Sequence, residues 1–138
     1  MKLDLYHETE IRVRYGETDQ MGYCYYGNYA QYFEVGRVEA LRKIGMTYKK
    51  LEGEGVMLPV LNYDVSFKLP AKYDDLLLVK THIKELRGSR LIFEYLVTNE
   101  ADQIIAQAST TLVFVSKKSM KPIAPPGVFI QTIEKYVT

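Results

Sequence analysis

The chain has 138 residues, of which 47% are hydrophobic and 25% are charged, as is usual for a single globular domain. Eighteen basic residues face seventeen acidic ones, and this balance lacks the basic surplus of a nucleic-acid-binding protein. The single cysteine, Cys24, excludes an intrachain disulfide. No stretch approaches the ~20 apolar residues of a membrane span. We therefore expect one cytoplasmic domain over residues 1–138, with no nucleic-acid partner.

The first predicted element is a strand from Thr9 to Tyr15, followed by an irregular segment. Odd positions of this strand form one face and the charged even positions form the other, with the period of two that is typical of a half-buried strand. The segment from Gly16 to Asn28 contains three glycines and has no regular period, so we predict a loop there.

A long helix is predicted from Tyr29 to Ile44, because the apolar residues change to helical spacing. The residues on this stripe are Tyr29, Tyr32, Phe33, Gly36, Ala40, Leu41 and Ile44. Asn28 is a suitable N-cap and Gly45 a suitable C-cap. Gly36 lies within the stripe, where a small residue lets the helix approach a sheet closely. Thr47 is predicted to cap a short second helix.

Four further strands are predicted after the helix, and a short helix from about Val128 ends the chain. The strand ranges are Leu61 to Leu69, Leu76 to Glu85, Leu91 to Val97 and Ile104 to Val115. Helices and strands do not alternate, so the order indicates an α+β fold with an antiparallel sheet. One helix covers one face of such a sheet and leaves its edges open, so we expect at least a homodimer.

The loop from Gly16 to Asn28 carries the chemistry that the residues themselves indicate. Asp19 precedes the predicted N-cap, Asn28, by nine residues, and a helix N-terminus presents unpaired N–H groups that can stabilise an oxyanion. A carboxylate beside such donors can act as a general base or a nucleophile. Asp and Gly in a loop are usually turn residues, so the residues alone favour a simple turn. No Cys or His pair has metal-ligand spacing, and no metal or cofactor is expected.

Two stretches of the sequence resemble the 4-hydroxybenzoyl-CoA thioesterase family, including its YbgC-type acyl-CoA thioesterases. The first, Tyr15-Gly16-Glu17-Thr18-Asp19-Gln20-Met21-Gly22, is similar to the family's opening motif. The second, Tyr25-Tyr26-Gly27-Asn28-Tyr29 followed by Tyr32-Phe33-Glu34, resembles its loop-to-helix junction. Further matches are Arg37, Glu39, Leu41, Arg42, Gly45, Pro70-Ala71, Tyr73 and Asp74. The resemblance covers roughly residues 9 to 126.

The resemblance implies a hotdog fold, in which a curved antiparallel sheet of about five strands wraps a long central helix. It also implies hydrolysis of an acyl-CoA thioester, with coenzyme A as part of the substrate and no separate cofactor. By the same resemblance, Asp19 carries catalysis and the backbone N–H of Tyr26 polarises the thioester carbonyl. Family members act as dimers or tetramers with the site at the subunit interface. One departure is Tyr26, where many YbgC-type members carry histidine.

Six further residues are candidates for substrate binding. Tyr25, Asn28 and Tyr29 are candidates for the acyl pocket, although core packing explains the tyrosines equally well. Coenzyme A carries phosphates that call for basic side chains, and Arg90, Lys117 and Lys118 are the candidates. These three are also consistent with ordinary surface charges.

Two other functions remain open at this point. A non-catalytic acyl-CoA-binding protein would share the fold without turnover. A hotdog dehydratase relies on a histidine near the helix, and no histidine lies between His7 and His82.

Overall fold

Seven strands and three α-helices make up the protein, whose computed structural model describes residues 1–138. The strands are β1 (Lys2–Arg12), β2 (Val56–Met57), β3 (Val60–Phe67), β4 (Leu76–Arg87), β5 (Arg90–Thr98), β6 (Ile104–Val113) and β7 (Val115–Ser116). The helices are α1 (Tyr29–Lys43), α2 (Tyr48–Gly53) and α3 (Gly127–Ile133). Short 3-10 turns occupy Tyr15–Glu17, Tyr26–Asn28 and Glu134–Tyr136.

Five strands form one antiparallel sheet in the order β1-β4-β5-β6-β3, and β2 pairs with β7 separately. Helix α1 lies against β1 and β4 and buries the face predicted from its helical spacing. The main core lies between this helix and the sheet. The predicted α+β arrangement of one long helix on a five-stranded antiparallel sheet is therefore confirmed.

The first strand was placed too late by the sequence prediction. It spans Lys2–Arg12, and its register with β4 runs from Lys2 opposite Glu85 to Arg12 opposite Leu76. Tyr15 belongs to a 3-10 turn and is 79% exposed, so its inclusion in the strand was wrong. The missed signal is Leu3 and Leu5, which alternate with polar residues and are buried.

The long last strand predicted from Ile104 to Val115 is divided in the structure. It ends as β6 at Val113, and the N–H of Phe114 then donates to the carbonyl of Ser89 at 2.8 Å. The chain continues as β7, which pairs with β2 instead of the main sheet. The predicted helix from about Val128 is α3, and it buries Phe129 and Ile133.

Gly36 lies at a close approach between α1 and strand β4. A Cβ at this position would lie 2.5 Å from Thr81 Oγ1 and 3.0 Å from Val79 Cγ1. Both neighbours are buried on β4, and the Thr81 hydroxyl has no hydrogen-bond partner. The small residue predicted for close helix packing is therefore required by the contact with β4.

We expect Gly36→Ala to destabilise the fold, although alanine favours a helix by about 1 kcal/mol over glycine. Overpacking a core costs about 1 to 3 kcal/mol, which outweighs that gain. The urea midpoint should fall for Gly36→Ala and recover in the double variant with Thr81→Ala. Gly53→Ala is the matched control, because a Cβ there meets nothing within 4 Å. Equal midpoints for Gly36→Ala and Gly53→Ala would contradict the packing argument.

Candidate active site

The loop that carries Asp19 is closed by its own backbone. Thr18 and Cys24 form an isolated antiparallel bridge, and the N–H of Asp19 donates to the carbonyl of Tyr23 at 3.1 Å. The chain reverses direction at Gly22, whose φ of +85° lies in the left-handed region that favours glycine. The Asp19 carboxylate accepts a hydrogen bond from the N–H of Met21 at 2.9 Å. This Asx turn fixes the carboxylate relative to the loop.

A cleft of about 520 Å³ opens beside this loop. Its lining residues are Asp19, Met21, Tyr23, Cys24, Tyr26, Tyr29, Phe67, Lys68, Leu69 and Pro70. The cleft thus combines a mainly apolar wall with one carboxylate and one amine, as expected for a small-molecule site. Of the predicted residues, it brings together Asp19, Tyr26 and Tyr29.

The backbone N–H of Tyr26, at the entrance to helix α1, is a candidate donor for stabilising negative charge. Tyr26 is the first residue of the 3-10 turn that runs directly into α1. The turn, loop and cap hydrogen bonds of the chain include none donated by this N–H. A free donor at the start of a helical segment can stabilise negative charge on a nearby oxygen.

Tyr25 and Asn28 are occupied by contacts within the loop. The Tyr25 ring packs over Gly27 and against the Tyr26 ring, with centroids 4.7 Å apart. The Asn28 amide donates to the carbonyl of Glu17 at 2.8 Å. Asn28 is the N-cap of α1 by position, but its side chain makes no capping hydrogen bond, so that part of the prediction was wrong. Substrate binding by Tyr25 and Asn28 stays a prediction.

Arg90, Lys117 and Lys118 are not brought to this cleft within one chain. Phe67, which lines the cleft, pairs with Ala106, and Ala106 pairs in turn with Val97 near the end of β5. Arg90 begins the same strand seven residues earlier, a separation of about 24 Å. Lys117 and Lys118 follow β7 at that distant end. Within one chain the structure therefore places these three candidates away from the cleft.

The opposite wall of the cleft, from Phe67 to Pro70, was missed as a site by the sequence analysis. The N–H groups of Lys68 and Leu69 both donate to the carbonyl of Ile105, at 2.8 and 3.2 Å. Two residues thus face one at the end of β3, which is the pattern of a β-bulge and changes the direction of the strand. The proline that ends the predicted strand was the only local signal in the sequence.

The ionisable groups in and around the cleft differ in their proton affinity. Burial raises the pKa of the Cys24 thiol, and the hydrogen bond with the Tyr32 hydroxyl offsets this only in part. Cys24 is therefore a protonated thiol at neutral pH, as expected for a small buried side chain rather than a nucleophile. Burial likewise raises the pKa of Tyr29, which stays neutral as a wall of the cleft.

Neither histidine lies at the cleft. His7 is on β1, and His82 is on β4, where its Nε2 lies 3.1 Å from the carbonyl oxygen of Leu3 and its ring stacks on Tyr6. The dehydratase alternative requires a histidine near the helix entrance, so the structure gives it no support. No group of three or more His, Cys, Asp or Glu side chains has a metal-binding arrangement.

Comparison with known proteins identifies the family. The family model described as the thioesterase-like superfamily matches residues 13–133. The chain belongs to this superfamily. The resemblance found in the sequence motifs is thereby confirmed at the level of the family, and so is the prediction of a thioesterase.

Three individual proteins illustrate how this thioesterase-like protein relates to others. The Bacillus subtilis (strain 168) protein YneP, a candidate acyl-CoA thioesterase, is 38% identical over 83% of each chain. The acyl-CoA thioester hydrolase YbgC of Escherichia coli O6:H1 is 33% identical over 84% of this chain and 87% of its own. The crystal structure of DHNA-CoA thioesterase from Staphylococcus aureus superposes with a TM-score of 0.90 at 33% identity, covering 94% of this chain and 89% of that one. The hotdog fold is thus confirmed.

None of the helices of this thioesterase-like protein combines the length and the apolar character needed to cross a bilayer.

Proposed function

We propose that the protein is an acyl-CoA thioesterase that hydrolyses an acyl-CoA to the free acid and coenzyme A. The observation that carries the proposal is one cleft lined by both Asp19 and Tyr26, and the backbone N–H of Tyr26 donates none of the turn, loop and cap hydrogen bonds of the chain. The thioesterase names of the YbgC and Staphylococcus aureus relatives support it.

Asp19 acts on the thioester carbonyl in either of two routes. As a base, it takes a proton from water, the water oxygen bonds to the acyl carbon, and the C–S bond breaks to release a thiolate that is then protonated. As a nucleophile, its oxygen bonds to the acyl carbon and expels the same thiolate, and water then hydrolyses the mixed anhydride. In both routes the N–H of Tyr26 stabilises the oxyanion that forms on the carbonyl oxygen.

The edge strand β3 supports assembly into a homodimer, from which a homotetramer can be built. Its side chains are largely exposed, including Val60, Leu61, Tyr63 and Phe67 at 41 to 54%. An open edge with apolar side chains favours pairing with another strand, and a second copy offers the same edge. Antiparallel pairing of two such strands sets Val60 of one copy near Phe67 of the other.

This pairing completes the substrate site. The sheet end that carries Arg90, Lys117 and Lys118 in one copy then lies on the same side as the cleft of the other copy. We propose that these side chains hold the phosphates of coenzyme A while Tyr25, Asn28 and Tyr29 border the acyl group. A cytoplasmic location is proposed as well, since the protein has a single unpaired cysteine.

The proposal is tested by measuring free-thiol release from a panel of aliphatic and aromatic acyl-CoAs with the wild-type protein. We expect turnover on at least one member, with kcat/KM in the range of about 10⁴ to 10⁸ M⁻¹s⁻¹ that is typical of enzymes. Tight binding by calorimetry without thiol release from any member would contradict the proposal and favour a non-catalytic acyl-CoA-binding protein.

A further inference from the structure

Glu17 is a buried carboxylate, and its hydrogen bonds connect its own loop to Arg14 and to Tyr32 on helix α1. The residue is 8% exposed. One carboxylate oxygen accepts from the backbone N–H of Arg14 at 2.9 Å and from the Tyr32 hydroxyl at 2.8 Å. The other accepts from the Arg14 guanidinium at 3.0 and 3.3 Å. A buried charge with this many donors is satisfied, so its position is well defined.

These donors also determine the charge of Glu17. Burial raises the pKa of the carboxyl, but the hydrogen bonds from the Arg14 backbone, Tyr32 and the Arg14 side chain outweigh it. The pKa therefore lies below its usual range, and the group is ionised at neutral pH. Hydrogen bonds to an ionised acceptor are roughly twice as strong as neutral ones.

The backbone of Glu17 holds the other end of the same loop. Its carbonyl accepts from the N–H of Tyr25 and from the Asn28 amide, both at 2.8 Å. The segment 18–24, which contains Asp19, therefore begins after Glu17 and is closed at its far end by a hydrogen bond to the same residue. Tyr25 directly precedes Tyr26, so the proposed oxyanion donor is fixed by the same carbonyl.

Tyr32 links this loop to the rigid helix. It is 2% exposed on α1, and its hydroxyl reaches both Glu17 and the Cys24 sulfur, the latter at 3.4 Å. Burial, together with the hydrogen bonds with Cys24 and Glu17, raises the pKa of the hydroxyl, so it keeps its proton and donates it to Glu17. The helix thereby contacts the loop on both sides of Asp19, at Glu17 and at Cys24.

We propose that Glu17 is a positioning residue for the thioesterase reaction: its carboxylate, through the Tyr32 hydroxyl, anchors the loop bearing Asp19 and the Tyr26 N–H to helix α1. This inference rests on the proposed function. Glu17 itself is buried and fully bonded, and it does not line the cleft, so it touches no substrate. It acts by holding the carboxylate and the N–H donor at a fixed separation. Misplacement of reacting groups by about 1 Å can cost roughly 10²-fold in rate.

The first test compares Tyr32→Phe with Tyr95→Phe. Both tyrosines are buried, and Tyr95 also makes two polar contacts, with Thr110 at 2.6 Å and Arg37 at 3.3 Å, but none with the loop. Tyr32→Phe should lower kcat by about 10- to 100-fold and leave KM within about twofold, because only alignment is lost. Tyr95→Phe should keep kcat within about twofold. Glu17→Gln keeps an acceptor for Tyr32 and should lose less activity than Glu17→Ala.

The second test measures opening of the loop independently of catalysis. Its readout is the rate at which a thiol reagent labels Cys24. Cys24 is the sole cysteine and is 3% exposed, so labelling requires the loop to open. Loss of a hydrogen bond to an ionised group should raise the rate about tenfold or more in Tyr32→Phe. In the opened loop the thiol no longer contacts residue 32, so its own reactivity there is the same in wild type and Tyr32→Phe. Faster labelling therefore reports opening of the loop.

Slower turnover together with faster labelling in Tyr32→Phe, and neither in Tyr95→Phe, would support the inference. Either change alone, or equal changes in both variants, would overturn it. A wild type that is inactive on every acyl-CoA would instead overturn the proposed function, and the labelling rates would still decide whether Glu17 and Tyr32 hold the loop.

Discussion

Asp19→Asn should reduce kcat on the best acyl-CoA substrate by about 10²- to 10⁴-fold, which is the usual contribution of a general base. An asparagine side chain keeps an oxygen that can accept the 2.9 Å hydrogen bond from the N–H of Met21. The Asx turn should therefore survive, and the thermal midpoint should stay close to that of the wild type. An amide can neither take a proton from water nor attack a thioester, so the loss falls on the chemical step.

Asp102→Asn is the matched control for this variant. Asp102 lies in the exposed turn between β5 and β6 with a φ of +60°, a conformation that asparagine also adopts readily. The same change of charge there should leave kcat and KM unchanged. Thiol release measured side by side at saturating substrate checks both variants. Turnover by Asp19→Asn at the wild-type level would remove Asp19 from the mechanism.

The helix and the loop that contains Asp19 could be predicted from sequence because both are specified by neighbouring residues. The apolar stripe from Tyr29 to Leu41 has one period and one buried face, and α1 follows it closely. Asp19 and Tyr26 lie in one continuous segment before that helix, so their proximity needs no knowledge of distant contacts. The family resemblance then added the roles expected of them.

The remaining parts of the cleft depend on contacts between segments that are far apart in sequence. Phe67 and Lys68 reach the cleft because β3 pairs with β6 and ends in a bulge opposite Ile105, and no local pattern encodes that register. The contact between Glu17 and Tyr32 joins a loop to a helix 15 residues away. In the sequence, Tyr32 looks like any other member of an apolar stripe.

The positions of the three basic candidates could not be predicted from their charge alone. The sequence nominated Arg90, Lys117 and Lys118 for their charge, and the structure of one chain puts Arg90 about 24 Å along β5 from the cleft. The proposed pairing of two β3 strands resolves this conflict, because it reverses the direction of the second sheet. The pairing therefore predicts that one chain supplies Asp19 and that its partner supplies the three basic residues.

A triple variant with Arg90, Lys117 and Lys118 changed to alanine should raise KM for acyl-CoA by at least about 10-fold, because the loss of even one hydrogen bond between charged groups costs about 1.5 to 3 kcal/mol. The KM of the wild type should rise with salt, and that of the variant should respond less. An unchanged KM in the triple variant would exclude these residues from coenzyme A binding.

Mixed dimers then identify the chain that contributes the basic residues. The mixed dimer contains one Asp19→Asn chain and one triple-variant chain. If each site takes Asp19 from one chain and the basic residues from the other, one of the two sites is intact. The other site then carries both defects. Random co-assembly makes about half of the dimers mixed, so about a quarter of wild-type activity should return, measured at low substrate concentration. Co-expression with two different affinity tags allows the mixed dimer to be purified and assayed directly. If each site were built within one chain, the mixed dimer would show only the average of its two defective parents, and the composite site would be refuted.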